Sequence, residues 1–278
     1  MILLNTDNSI KFASNIIIME YINLESLFDK YTSSYLEISD SRILNSIQFK
    51  IAHSKGVAVI CSNISLFVFL SPRHQLMAKT CGIFHDIARF EQLKHFSTFD
   101  DSKSFDHGEK AVEILKTENY LSIFDKTEQK AILNAIKQHN KKTPPIGDDE
   151  IEMALARILR DADKIDTLTS IADYYESKDA GKKKALELDL PNIPEVSEKV
   201  IQSLKNAQMV DYRDIRTLDD FKLLKISWIY DLNYSISFAM IIESQVVNRI
   251  FNSMKTKNKE LDMLVGMAYG YAEASAIH

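Results

Sequence analysis

Helix-breaking residues are scarce along this chain. Seven glycines and five prolines are spread over 278 residues, against about 12% of positions for the two together in average proteins. That scarcity argues against collagen-like, disordered, turn-dense all-β and glycine-rich dinucleotide-binding architectures. Apolar residues recur instead with helical periodicity, and strand alternation is rare. The pattern predicts helices over Met19–Tyr35 and Ser41–Phe69. Ser71 reads as an N-cap with Pro72 at the first helical position of a helix running to Ala88. That helix, through LMAKTCGIFHDIA, is apolar on nearly all sides and should be central. Phe90–Phe105 has no clear period and reads as a long loop.

Asp106 with Glu109 makes a capping-box-like start for a helix to Lys116. Thr127 is expected to cap the helix through AILNAIKQH. After the break KKTPPIGDD, Asp148 or Asp149 should start a long helix towards Tyr175. After the second break, LDLPNIP, three helices are expected near Pro194–Ala207, Asp219–Met254 and Asn258–Ala276. The fold class is therefore all-α. One domain, 1–278, is expected, with a core over about 41–175 and a helical extension over about 190–278.

Composition excludes several functions. Thirty-four basic and 39 acidic residues give a net charge of −5, which disfavours a protein that holds nucleic acid by bulk charge. Cys61 and Cys81 are the only cysteines, so a disulfide scaffold and a thiolate zinc site are not expected. The most apolar stretch, Gly56–Leu70, is interrupted by Ser62, Asn63 and Ser65 and reads as a buried helix rather than a membrane span. No secretory leader pattern opens the chain, and a cytoplasmic setting without membrane attachment is expected.

Four of the seven histidines fall in an ordered series with two aspartates: His53, His85-Asp86, His107, His139, Asp163. The intervals are 32, 22, 32 and 24 residues, which sets each member on, or at the end of, a different predicted helix. Imidazoles and carboxylates suit Mn, Fe, Co, Ni or Zn, and helical bundles build such sites by pointing side chains inward from several helices. Four histidines and two aspartates could hold two ions if one carboxylate bridges them. His74, His95 and His278 stand outside the series.

The segments FHDIARFEQLKHFSTFDDSKSFDHGEKAVEIL, AIKQHNKK and RILRDADKIDTL resemble the HD-domain metal-dependent phosphohydrolase superfamily, and most closely its small bacterial members, from about Ile51 to Ser170. The resemblance implies an all-α HD-domain helical bundle with additional C-terminal helices. It implies that His53, His85, Asp86 and Asp163 hold a first metal, and that His107 and His139 hold a second with Asp86 as the bridge. One or two divalent ions are expected, Mn, Fe, Co, Ni or Zn, with Mg as a further candidate. Two departures stand out. Asn140 follows His139 where the HD-GYP type has a further histidine, and the GYP signature is missing.

The chemistry implied is cleavage of a phosphate ester of a small molecule, a nucleotide being the expected class, by a metal-activated hydroxide. His85, Asp86 and Asp163 are the catalytic candidates. Arg89, Asn140, Lys141 and Lys164 are the substrate-binding candidates. Arg89 offers a fork to phosphate, Lys141 opens a turn-rich break, and Lys164 lies about 100° around the helix from Asp163. Asp166 shares a face with Asp163. Two alternatives remain open: an HD-fold di-iron oxygenase using the same cage, and a non-catalytic HD-like interaction module. Homodimerisation through the C-terminal helices is a further expectation.

Overall fold

Several helices begin where an aspartate or asparagine side chain accepts backbone N–H groups that have no partner within the helix. The computed structural model describes residues 3–69, 71–143, 147, 149–177 and 190–277, with residues 3–17 by backbone alone. Asp148, Leu188, Asp189 and His278 lie outside them, as do residues 70, 144–146 and 178–187. Among the described residues there is no strand, and the all-α expectation holds.

The contacts of the chain divide it into two compact units, Met1–Ala162 and Asp163–His278. The division falls inside one helix. The first unit contains α1 (Leu3–Ser33), α2 (Ser41–Val68), α3 (Pro72–Phe84), α4 (Ala88–Phe96), α5 (His107–Thr117) and α6 (Lys126–Gln138). It also contains the start of α7 (Glu150–Glu176). Asp40 caps α2 by accepting from the Arg42 and Ile43 N–H groups. Asp106 caps α5 in the same way, through Gly108 and Glu109.

α3 is the centre of this unit. Its residues Leu76, Met77, Ala78, Thr80, Cys81, Gly82, Ile83 and Phe84 are all buried, as its all-round apolar pattern predicts. Phe28 of α1 packs edge-on against Phe84 and Phe90, at 6.2 and 5.9 Å between ring centroids. α2 is the one helix among the described residues long and apolar enough to cross a membrane. Its inner face, with His53, Val57, Ala58, Cys61 and Ile64 buried, is a wall of this core. α2 and α3 meet at Gly82, where an added Cβ would lie 2.6 Å from the Ala58 Cα. Only a residue without a side chain allows that approach.

The helix expected to begin at Met19 begins at Leu3, and four further boundaries differ from the sequence expectation. The helix expected to reach Ala88 stops at Phe84, with His85 as its C-cap residue. The cause is local: Ile87 N–H bonds the Phe84 carbonyl and Arg89 N–H bonds that of Asp86, both three-residue turns. The expected loop Phe90–Phe105 instead begins as α4 and continues through a single 3₁₀ turn, Asp101–Lys103. α6 is capped by Asp125 rather than Thr127. Asp125 and Glu128 form a reciprocal capping box that Thr127, one position inside the helix, cannot make.

The fourth difference is in the second unit, where the expected helix Asp219–Met254 is broken into pieces. It comprises α9 (Leu218–Ser227), a 3₁₀ turn (Trp228–Asp231), α10 (Ser235–Glu243) and α11 (Val246–Asn252). Leu232 and Tyr234 take extended backbone, and Gln245 is left-handed with φ 54°. The apolar period runs on through these breaks, so periodicity alone joined the pieces.

α8 (Glu198–Lys205) and α12 (Lys259–Ala276) complete this unit. Two buried carboxylates tie it together. Asp219 accepts from Lys255 N–H and from the N–H and hydroxyl of Thr256. Asp220 accepts from Ser197, Arg216 and Thr217.

Candidate metal centre

The short turn after α3 delivers the His-Asp pair into the core of the first unit. His85 is wholly buried and Asp86 is 3% exposed. α2 contributes His53, the first residue of α5 contributes His107, and the C-cap of α6 contributes His139. All three are buried. The rings stand edge to face in sequence: His53 to His85 at 5.2 Å, His85 to His139 at 5.1 Å and His139 to His107 at 4.8 Å.

Asp86 lies at the middle of this array. Its Oδ2 is 3.7 Å from His53 Nε2 and 3.5 Å from His85 Nε2. Its Oδ1 is 3.5 Å from His107 Nε2 and 3.8 Å from His139 Nε2. One carboxylate thus turns each oxygen towards a different pair of imidazoles. The ligand atoms of His53, His85 and Asp86 lie within 4.8 Å of one another, and so do those of Asp86, His107 and His139.

The donor chemistry fits metal ions. Nδ1 of His85 faces the Gly82 carbonyl at 2.8 Å, and Nδ1 of His139 faces the Ile136 carbonyl at 2.6 Å. Nδ1 of His107 faces Asp101 Oδ2 at 2.6 Å. These partners only accept, so each Nδ1 carries the proton and each Nε2 presents a lone pair. The His107 and His139 Nε2 atoms then face each other at 3.0 Å. Two lone pairs at that distance call for a cation between or beside them. Anchoring Nδ1 to a carbonyl or carboxylate is how proteins orient histidine ligands.

The electrostatics agree. Burial opposes the charge on Asp86, but the Lys50 ammonium beside it overcomes that and holds the carboxyl well below its usual range. Burial lowers the His107 imidazole to about 4, against the pull of Asp101 and with help from His139 and Arg89. A neutral imidazole beside an ionised carboxylate is the state that ligates metal.

The other expected residues are placed as follows. Arg89 Nη1 donates to Gln92 Oε1, to the Phe99 carbonyl and to Asp101 Oδ1, at 2.6–2.8 Å. Asn140 Nδ2 donates to Asp106 Oδ1 at 3.0 Å. The Lys141 ammonium pairs with Asp106, whose carboxyl is held at about 2 against the effect of burial by Lys141 and Asn140. Asp163 is half-buried on α7 and is the first residue of the second unit. Lys164 pairs with Asp231 at 2.8 Å within that unit.

Three participants were not singled out from sequence. Asp101 holds His107 and Arg89 at once. Arg160 donates to the carbonyls of His139 and Lys141 at 3.4 and 2.6 Å, fixing the end of α6. Lys50 Nζ lies 2.6 Å from Asp86 Oδ2. Lys50 is legible in principle, since it precedes His53 by three residues on one helix face. Asp101 is not, because an irregular segment carries no period.

Residues 51–168 match the family model described as HD domain. No curated protein and no solved structure shows a significant match to the chain.

Proposed function

We propose that this chain, which carries an HD domain over residues 51–168, is a metal-dependent phosphohydrolase acting on a phosphate ester of a small molecule, with nucleotides as the substrate class. The observation behind this reading is the splayed carboxylate of Asp86, one oxygen towards His53 and His85 and the other towards His107 and His139. His53, His85 and Asp86 would hold one ion, and His107, His139 and Asp86 a second. Asp163 is the proposed further carboxylate ligand.

Divalent ions at such a pair of sites lower the pKa of bound water and offset the charge that develops on phosphoryl oxygens. The protein's part is to fix the ligands. Asp101 and the Gly82 and Ile136 carbonyls set the imidazole tautomers, and the buried end of α3 leads directly into His85. The Arg89 guanidinium, three residues beyond Asp86, supplies fixed positive charge at its edge.

The test is direct. Protein loaded with Mn²⁺ is offered nucleoside monophosphates, cyclic mono- and dinucleotides, dinucleoside polyphosphates and guanosine tetraphosphate, beside His85→Ala and Asp86→Ala. Release of phosphate or of a nucleotide product by the parent alone supports the reading. Equal rates in all three proteins would end it. So would iron-dependent oxygen uptake without hydrolysis, which belongs to an oxygenase.

A further inference from the structure

We infer that Lys50 is the residue that grips the substrate's anionic group at this centre, working beside Arg89. The inference rests on the phosphohydrolase reading and names the side chain that makes the site selective for an anion. Lys50 lies one turn before His53 on α2, so it shares the face that carries a ligand. Its side chain is 16% exposed, and its Nζ is 2.6 Å from Asp86 Oδ2.

An ammonium has three donors. Asp86 takes one, and no other hydrogen bond from Lys50 occurs among the described residues. Two N–H groups on a mostly buried cation beside Asp86 are thus left to be met. A buried charge is costly without full compensation, and here the compensation is shared. The single charge of Asp86 is approached by Lys50 and also by Arg89, whose Nε is 3.5 Å from Oδ1. That Nε is itself buried with no hydrogen-bond partner. Arg89 has a second counter-ion in Asp101 at 2.8 Å, so the two cations and the two carboxylates balance, with Asp86 left to Lys50. Divalent ions on the imidazoles would draw on Asp86 and leave a surplus of positive charge beside Lys50.

The geometry gives the surplus a place. The Phe99 ring centroid lies 5.5 Å from Lys50 Nζ and 5.7 Å from Arg89 Cζ. Both cations therefore border one half-buried aromatic ring, and the Phe99 carbonyl fixes Arg89 through a 2.7 Å hydrogen bond. A point-charge ammonium and a planar guanidinium set around one ring suit the non-bridging oxygens of a phosphoryl group. A neutral carbonyl or hydroxyl substrate could accept a hydrogen bond here but would bring no charge to offset the bound ions.

The experiment titrates inorganic phosphate into the Mn²⁺-loaded full chain by calorimetry, for the parent, Lys50→Met and Lys50→Arg. Manganese content and melting temperature are measured on each. The expected result is phosphate binding weakened about tenfold to a hundredfold in Lys50→Met, the worth of one charge-assisted hydrogen bond. Metal stoichiometry should be unchanged, and most of the affinity should return in Lys50→Arg.

Phosphate affinity in Lys50→Met equal to the parent's overturns the inference. Loss of manganese from Lys50→Met also overturns it, because Lys50 then serves only to hold Asp86. If Lys50→Met does not fold, Lys50→Gln carries the same comparison. The two readings fail separately. A parent that hydrolyses nucleotides with a Lys50-independent phosphate affinity sinks this inference alone. A parent with Lys50-dependent phosphate binding and no turnover sinks the hydrolase reading alone.

Discussion

Asp101 precedes His107 by six residues and holds its Nδ1 at 2.6 Å. Its own carboxyl, opposed by burial but favoured by His107, Gln92 and Arg89, stays far below the usual range. Removing that acceptor frees the imidazole to rotate or change tautomer. Asp101→Asn should therefore weaken manganese binding about tenfold to a hundredfold, as measured by metal titration, while the fold persists.

His107 also makes stability depend on pH. Its folded value of about 4 lies below the unfolded value of about 6.5. The unfolded chain then binds the extra proton between those limits, so stability is full above pH 6.5 and falls as pH drops towards 4. The loss attributable to this one group is about 3 kcal/mol at most. Urea unfolding of chelated protein at pH 7.5, 6 and 5 should show the decline, and His107→Gln should flatten it.

Among the elements, the junctions decide more than the helices themselves. Gly82→Ala places a methyl group 2.6 Å from the Ala58 backbone, and both helices are packed too closely to yield cheaply. A loss of about 3 kcal/mol is expected, the upper end for overpacking, read as a lowered melting temperature. Asp125→Ala removes the acceptor for Thr127 and Glu128 N–H and should cost about 1 kcal/mol. Thr127→Ala should cost less than Asp125→Ala, which distinguishes the observed cap from the expected one.

The same junctions mark what a sequence can disclose. Helix interiors were legible because burial imposes a period, and the histidine–aspartate series was legible as a candidate set because its members are chemically distinctive and come from different helices or their ends. The stop at Phe84, the α4 helix and the breaks after Asp231 and Ser244 were not. They depend on three-residue turns and a left-handed Gln245, which leave no repeat to read. Lys50 lay within reach of the helical period, whereas Asp101 acquires its role only when the segment before α5 folds back on His107.

For the molecule as a whole, the five candidate ligands of the first unit, once occupied, would tie α2, the α3–α4 turn, α5 and α6 together. Ligands that bind only the folded state add stability by mass action, about 2.7 kcal/mol at a hundredfold excess over the dissociation constant. Chelation should therefore lower hydrogen-exchange protection chiefly in α2, α3, α5 and α6. Protection in α8–α12, whose buried Asp219 and Asp220 are satisfied by protein donors alone, should change little. Uniform loss across both sets would refute that division.

The bare Cα of Gly82 has a consequence beyond packing. The same residue lends its carbonyl to His85, so steric crowding there would be transmitted straight to a ligand's aim. A lesion at this position would then read as a weakened grip on divalent ions in a titration, beyond whatever it takes from the melting temperature.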